Sequence, residues 1–266
     1  MELLFLGTGA ADWNIEKKSQ YFAERGEFRR FSSTLIDRCL LVDPGPHIFD
    51  FEKDYNYTDL FAQVKTVLIT HSHGDHFSPN TVRKLSDMTG CTFFGDAACF
   101  SKLSRTLDSV EGIDFRVIGT TETFSHNGYT FISCHSNHTT PEPGEATRNY
   151  SIIAPDGKKL FYGLDSGPFR CEAWNSIRKS AFDAAILECT TGDLLGDDRI
   201  FSHSSLPWIL YSLHTMYKQG MLKEDAKVII DHMARTLHDP QPLLEQRVRE
   251  SGSKIIVAYD GYRLTF

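Results

Sequence analysis

No CxxC pair occurs in these 266 residues, and the six cysteines (Cys39, Cys91, Cys99, Cys134, Cys171 and Cys189) stand far apart. That spacing excludes the dense framework of a small disulfide-stapled secreted domain, and the thiols are expected to be reduced and in the core. The opening MELLFLGTGAADW has no basic start and too short an apolar run for a signal peptide or a membrane span. A cytoplasmic protein that meets no membrane is therefore expected. Low-complexity tracts, internal repeats and linkers rich in Pro, Gly or Ser are missing too, so residues 1–266 are read as one domain. Positive charge is in deficit: 28 Lys+Arg against 35 Asp+Glu leave a formal charge of −7. Such a balance argues against a basic nucleic-acid surface.

What remains is an ordinary globular composition, 41% apolar and 12% aromatic, with one unusual count, eleven histidines. Strand-length apolar runs lie at Leu3–Leu6, Thr34–Val42, Val64–Thr70, Thr92–Phe94, Phe115–Ile118, Tyr129–Ser133, Ser151–Ala154, Lys159–Tyr162, Ala184–Leu187, Lys227–Ile230 and Ile255–Tyr259. Helical patterns fall between some of them: Ser78 as N-cap with Pro79 behind it, then about 97–106, 170–180, 205–218 and 241–250. Strands pair through the middle of the chain and alternate with helices elsewhere. An α/β (α+β) chain with two face-to-face sheets covered by helices fits this order better than a doubly wound parallel sheet.

The chemistry concentrates where Val67-Leu-Ile-Thr runs into His71-Ser-His73-Gly-Asp75-His76. A buried strand thus ends in four metal-ligand side chains within six residues. His71 and His73 can address one cation, and a turn at Gly74 brings Asp75 and His76 toward a second. Imidazole and carboxylate donors suit zinc, with manganese or iron as alternatives. One segment cannot saturate two ions, so further ligands are required downstream. His138, Asp165 and His232 each follow a strand, and His135 competes with His138 for the same role.

With these residues in hand, the chain resembles the metallo-β-lactamase superfamily. HxHxDH at 71–76, then His138, Asp165 and His232 in that order, carry the resemblance, together with LLFLGTGA, LLVDPG at Leu40–Gly45 and the closing VAYDGYRLTF. It implies an αββα sandwich and two divalent metal ions. His71, His73 and His138 would hold one ion, Asp75, His76 and His232 the other, Asp165 would bridge them, and Asp43 would orient a ligand. Two such ions lower the pKa of water and stabilise an oxyanion, so hydrolysis is the implied chemistry.

Glu188 at a strand end, His203 beyond it and Ser205 capping a helix resemble the phosphodiesterase branch, in particular the phosphoribosyl cyclic phosphate phosphodiesterases of the carbon–phosphorus lyase pathway. There the matching histidine is a general acid or phosphate contact, so His203 and Asp75 are the residues assigned to catalysis. In the same branch the segment RGEFRRFSS suggests Arg29 or Arg30 as phosphate contacts, with Arg235 and His238 as pocket-rim candidates. The cysteine-rich structural zinc site of those enzymes has no counterpart here, because residues 10–30 hold no cysteine. A small anionic phosphodiester, cyclic or nucleotide-like, is the expected substrate. Lactonase, thioesterase or β-lactamase chemistry on the same ligand set is the alternative. Nucleic acid is not expected as a partner, and a homodimer is allowed.

Overall fold

Runs with no polar alternation, such as Leu3–Leu6, suit strands covered on both faces. The computed structural model, which describes residues 1–192 and 196–266, has that architecture. Its first half holds β1 (Glu2–Gly7), α1 (Lys18–Arg25), β2 (Ser33–Ile36), β3 (Leu40–Val42), α2 (Ile48–Asp54), β4 (Thr66–Leu68), α3 (Pro79–Thr89), β5 (Thr92–Gly95), α4 (Ala97–Thr106) and β6 (Asp114–Val117). There follow β7 (Thr123–His126), β8 (Tyr129–His135), β9 (Arg148–Ile153), β10 (Lys159–Gly163), α5 (Cys171–Ile177), β11 (Phe182–Glu188), α6 (Leu206–Lys218), β12 (Leu222–Asp231), α7 (Gln241–Glu250), β13 (Ile256–Val257) and β14 (Arg263–Thr265).

The strands form two seven-stranded sheets, ordered β14-β1-β2-β3-β4-β5-β6 and β13-β12-β11-β10-β9-β8-β7. Leu3 and Phe5 of β1 meet Ala184 and Ile186 of β11 in a core between the sheets. Leu4 and Leu6 point the other way, onto Phe51 of α2, Val82 of α3 and Leu103 of α4. Ala185 and Leu187 likewise face Ile177, Ile209 and Leu244 of α5, α6 and α7. Two-residue alternation thus feeds a different core on each face, and the layers are helix, sheet, sheet, helix. Helix starts carry the expected caps: Ser78 accepts from Thr81 N, Asp96 from Ala98 N and Ser205 from Trp208 N.

Several sequence expectations need correction. Thr34–Val42 is not one strand but the hairpin β2–β3, reversed at Asp37 and Arg38, whose φ values of 46° and 61° are left-handed. The helices α1 and α2 and the edge strand β7 were not among the expected elements. Cys171 is exposed and Cys39 half-buried, so not every thiol is in the core, and the cysteines are free. Among the described residues no helix is long and apolar enough to cross a membrane.

Arg29 and Arg30 are the largest departure, because neither reaches a substrate cavity. They are 2% and 3% exposed. Arg30 pairs with Asp260 at 3.1 Å and also with Asp54, and its backbone N–H donates to Asp260 at 2.7 Å. Arg29 donates to Thr8 Oγ1 and to the Ala258 carbonyl, both at 2.8 Å. These two arginines fasten the segment before β2 to the chain's last turn. Asp260→Ala leaves a buried guanidinium short of its counter-charge and is expected to cost about 3–5 kcal/mol in urea denaturation.

Candidate metal centre

Strand direction decides where the ligands gather. β3, β4, β5 and β6 run parallel in one sheet, and β10, β11, β12 and β13 in the other. β8 is antiparallel to β9, which is antiparallel to β10, so β8 also points the way β10 does. The carboxyl ends of β3, β4, β8, β10, β11 and β12 therefore supply Asp43, the His71–His76 loop, His138, Asp165, Glu188 and His232 to one edge of the sandwich. The two sheets are tied together there: Tyr150 Oη donates to Ile69 O at 2.7 Å, and Arg148 N to Thr70 O at 3.2 Å. Asp43, Asp165 and His232 each adopt a left-handed backbone, with φ of 59°, 46° and 60°. Such conformations cost about 1 kcal/mol or more apiece and persist where the surroundings demand them. Gly45 completes the entry, since a Cβ there would lie 2.6 Å from the Asp75 carbonyl oxygen.

Three groups of potential ligands result: His71, His73, His138 and Asp165; Asp75, His76 and His232; and Asp165, His203 and His232, of which the first two share no residue. In the first, His73 Nδ1 lies 2.9 Å from His71 Nε2 and 3.1 Å from His138 Nε2, while Asp165 Oδ2 is 3.3 and 3.4 Å from those two Nε2 atoms. In the second, the Nε2 atoms of His76 and His232 are 3.1 Å apart, with Asp75 Oδ2 at 3.5 and 3.4 Å. Asp165 spans both groups, reaching His76 Nε2 at 3.4 Å and His232 Nε2 at 3.1 Å. Tetrahedral ligands about 2.0–2.1 Å from a zinc ion stand about 3.4 Å apart, so this spacing fits a cation in each of the first two groups.

The hydrogen bonds behind the ligands favour the same conclusion. His76 Nδ1 donates to Asp43 at 2.9 Å and His138 Nδ1 to Ser202 O at 3.2 Å. Thr70 Oγ1 gives its hydrogen to Asp43 and stands 3.0 Å from His71 Nδ1; Thr190 Oγ1 gives its hydrogen to Glu188 and stands 2.8 Å from His232 Nδ1. Each hydroxyl hydrogen being committed, the imidazole must donate to the oxygen. All four rings thereby carry hydrogen on Nδ1 and turn Nε2 inward as a ligand. Burial lowers the pKa of His71, His73 and His138, keeping them neutral and able to coordinate. For His76, burial is outweighed by the carboxylates of Asp165, Asp75 and Asp43, which raise its pKa well above the ordinary value. The site thus draws positive charge, and Asp165 Oδ1 is buried with no hydrogen-bond donor.

A cavity of about 510 Å³ opens onto the cluster and is lined in part by Asp12, Phe31, Arg199 and His203. His203 Nδ1 faces Glu188 at 3.0 Å, and its ring lies 4.7 Å from that of His138. Burial works against its charged form, but Glu188 prevails and raises the pKa to about 9. His135 stands outside both ligand groups, three residues short of His138. Arg235 lies over the Tyr21 ring and donates to Asp12 O rather than lining the cavity. His238 is buried and donates from Nε2 to Cys189 O. The sequence reading passed over Arg199, Thr70, Thr190 and Glu145. Glu145 accepts from Ser72 N at 2.7 Å and from Ser72 Oγ at 2.5 Å, bracing the ligand loop from the turn-rich segment that precedes β9.

A family model described as the beta-lactamase superfamily domain matches residues 38–212, which include every ligand but His232. The chain belongs to this superfamily. Its members are in general metal-dependent hydrolases, and the His/Asp cluster of this one has the composition such a site needs. The superfamily fold also appears among solved structures. One, a diphosphatase from the PhnP family, is 17% identical at a TM-score of 0.74, covering 100% of this chain and 97% of that one. Human tRNase Z, short form, is 16% identical at 0.71, covering 100% and 99%. Zinc-bound PqqB from Methylobacterium extorquens is 17% identical at 0.73, covering 100% of both. No curated protein matches the sequence.

Asp43→Asn weakens the acceptor shared by His76 and Thr70 without changing its shape. Affinity for zinc is expected to fall about 10–100-fold in competition with a chelator. His238 offers an independent pH test, because burial pushes its pKa down to about 4. The unfolded chain, with an ordinary histidine, takes up this proton first as pH falls. The stabilisation is therefore complete above about pH 6.5 and lost toward pH 4, at up to about 1.4 kcal/mol per pH unit. Urea denaturation of His238→Gln is expected to show a correspondingly shallower loss than the wild type over that window.

Proposed function

We propose that this chain is a dinuclear metal-dependent phosphodiesterase that cleaves a small anionic phosphodiester, cyclic or nucleotide-like, in the cytoplasm. The donor set favours zinc, with manganese or iron as substitutes. His71, His73 and His138 would hold one ion, Asp75, His76 and His232 the other, with Asp165 shared. When bound, such ions supply Lewis acidity and water acidified to near neutral pH.

The observation that carries the reading is the Glu188–His203 pair beside the ligands. A diester needs a proton on its departing oxygen, and the ligand set by itself offers none. Glu188 occupies Nδ1 of His203 and keeps the ring protonated, which leaves Nε2–H for the cavity that His203 lines. In the reaction so read, a water oxygen bonds to phosphorus, the bond from phosphorus to the leaving oxygen breaks and the His203 proton passes to that oxygen, while the proton lost by the water goes to solvent, from which His203 is reprotonated. Arg199, also on the cavity wall, is available to a phosphate oxygen, although Asp197 shares its guanidinium at 2.7 Å. The net charge of −7 speaks against a long nucleic acid as substrate. Lactone, thioester and β-lactam hydrolysis would use the same ligands, but the resemblance of the Glu188–His203 pair to that of the phosphodiesterase branch favours the diester.

His203→Ala tests the assignment. Turnover of diesters with basic alkoxide leaving groups is expected to drop about 10²–10⁴-fold, and far less with 4-nitrophenolate, which needs no proton. Metal stoichiometry is measured alongside, because a His203 nitrogen lies within 4.8 Å of ligand atoms of Asp165 and His232. Equal losses on all leaving groups, or lost metal, would defeat the acid role. Preference for a lactone or β-lactam over any diester would defeat the class.

A further inference from the structure

His203 lines two cavities. One is the metal-centre cavity; the other is a cleft of about 330 Å³ walled by Pro168, Ile200, Pro207, Trp208 and Tyr211. Among the described residues, none of the side chains lining this cleft apart from His203 is charged. Large rings ordinarily go inside, yet Trp208 is 39% and Tyr211 78% exposed. They are held as a pair, with centroids 5.9 Å apart and planes inclined by 32°. Their mounting is firm: Ser205 caps α6, Pro207 stands in its first turn, and Leu206, Ile209 and Met216 anchor it to the sheet. The spacing of three residues puts both rings on one helical face.

We propose that this cleft receives the leaving alcohol of the substrate, and that this alcohol carries a planar aromatic or heteroaromatic ring seated against Trp208 and Tyr211. The inference rests on the reading of His203 as the acid. A proton donor must lie within hydrogen-bond reach of the leaving oxygen, so the phosphoryl group stays on the ligand side of the imidazole and the atoms beyond that oxygen continue past it, into the cleft. An uncharged, ring-lined wall suits a neutral π-face and offers nothing to a second phosphate. The class is thereby narrowed, from cyclic or nucleotide-like diesters to open ones whose departing group is an aryl alcohol or a nucleoside.

Two measurements separate this inference from the function it rests on. Zinc-loaded protein, titrated calorimetrically, is expected to bind phenylphosphonate about tenfold tighter than methylphosphonate, and Trp208→Ala and Tyr211→Ala are each expected to erase most of that preference, with Trp208→Phe retaining it. This readout needs no turnover, so a protein that cleaves no diester but shows the preference loses the function and keeps the cleft. In the kinetic arm, methyl phenyl phosphate is compared with methyl hexafluoroisopropyl phosphate, whose leaving alcohol is about as acidic as phenol. Trp208→Ala is expected to lower the phenyl-to-fluoroalkyl ratio of kcat/KM about tenfold, through KM. Equal binding of the two phosphonates by the wild type, or an unchanged ratio, overturns the proposal. So does conversion of a wild-type dimer to monomers by Trp208→Ala without any phenyl preference, which would make the aromatic pair an interface between copies.

Discussion

Two buried carboxylates, one at the end of each sheet's central strands, govern everything around the cluster. Asp43, just after β3, accepts from His76 directly and from His71 through the Thr70 hydroxyl. Glu188, the last residue of β11, faces His203 directly and reaches His232 through the Thr190 hydroxyl. Each acid thus fixes two rings, one by contact and one through a threonine. Fixing Nδ1 matters because an imidazole has only one other nitrogen to present, and its direction then follows from a rigid strand end. The two acids still differ in effect. Asp43 supports candidate ligands only, whereas Glu188 supports one candidate ligand and His203, the proposed proton donor, so removal of Glu188 would touch both.

Cost and placement explain why the site lies where the sheets meet. Burying Asp75 and Asp165, the latter with an unpartnered Oδ1, is unfavourable for folding, and the left-handed backbones at Asp43, Asp165 and His232 add strain. Neither would survive on a mobile loop. The three separate cores hold the strand ends from both sides, while Arg29 and Arg30 with Asp260 secure the chain's first and last segments at the neighbouring corner. The arginines that looked like substrate contacts therefore belong to the frame.

Much of this was legible in the sequence because the ligands follow the strands that carry them. An apolar run that stops near a histidine or aspartate marks a strand end, and that rule singled out His71, His138, Asp165 and His232 as candidates, which the fold brings together. The rule fails where the partner is remote. Asp260 lies 230 residues from Arg30, so nothing near RGEFRR tells a buried ion pair from an exposed basic face. It fails also for Asp37-Arg38, which turns a hairpin without glycine or asparagine, and for Thr70 and Thr190, whose roles depend on which way a hydroxyl hydrogen points. Strand alternation had an instructive limit as well: runs buried on both faces gave the strands but not which face met which core.

The position of His203 links the frame to specificity. Its ring is set by Glu188 on one side and by contact with His138 on the other, and α6 begins only three residues later at Leu206. Whatever geometry places His203 also bears on the first turn of α6, and with it Trp208 and Tyr211. His203, just before α6, and the aromatic pair on that capped helix are thus joined by a short connection. Under the proposed reading, a departing group that fits this spacing would meet both at once, whereas one without a ring would meet His203 alone. Selectivity for the leaving group would then follow from how α6 is mounted, and not from the ligand cluster, whose composition is indifferent to what the alcohol carries.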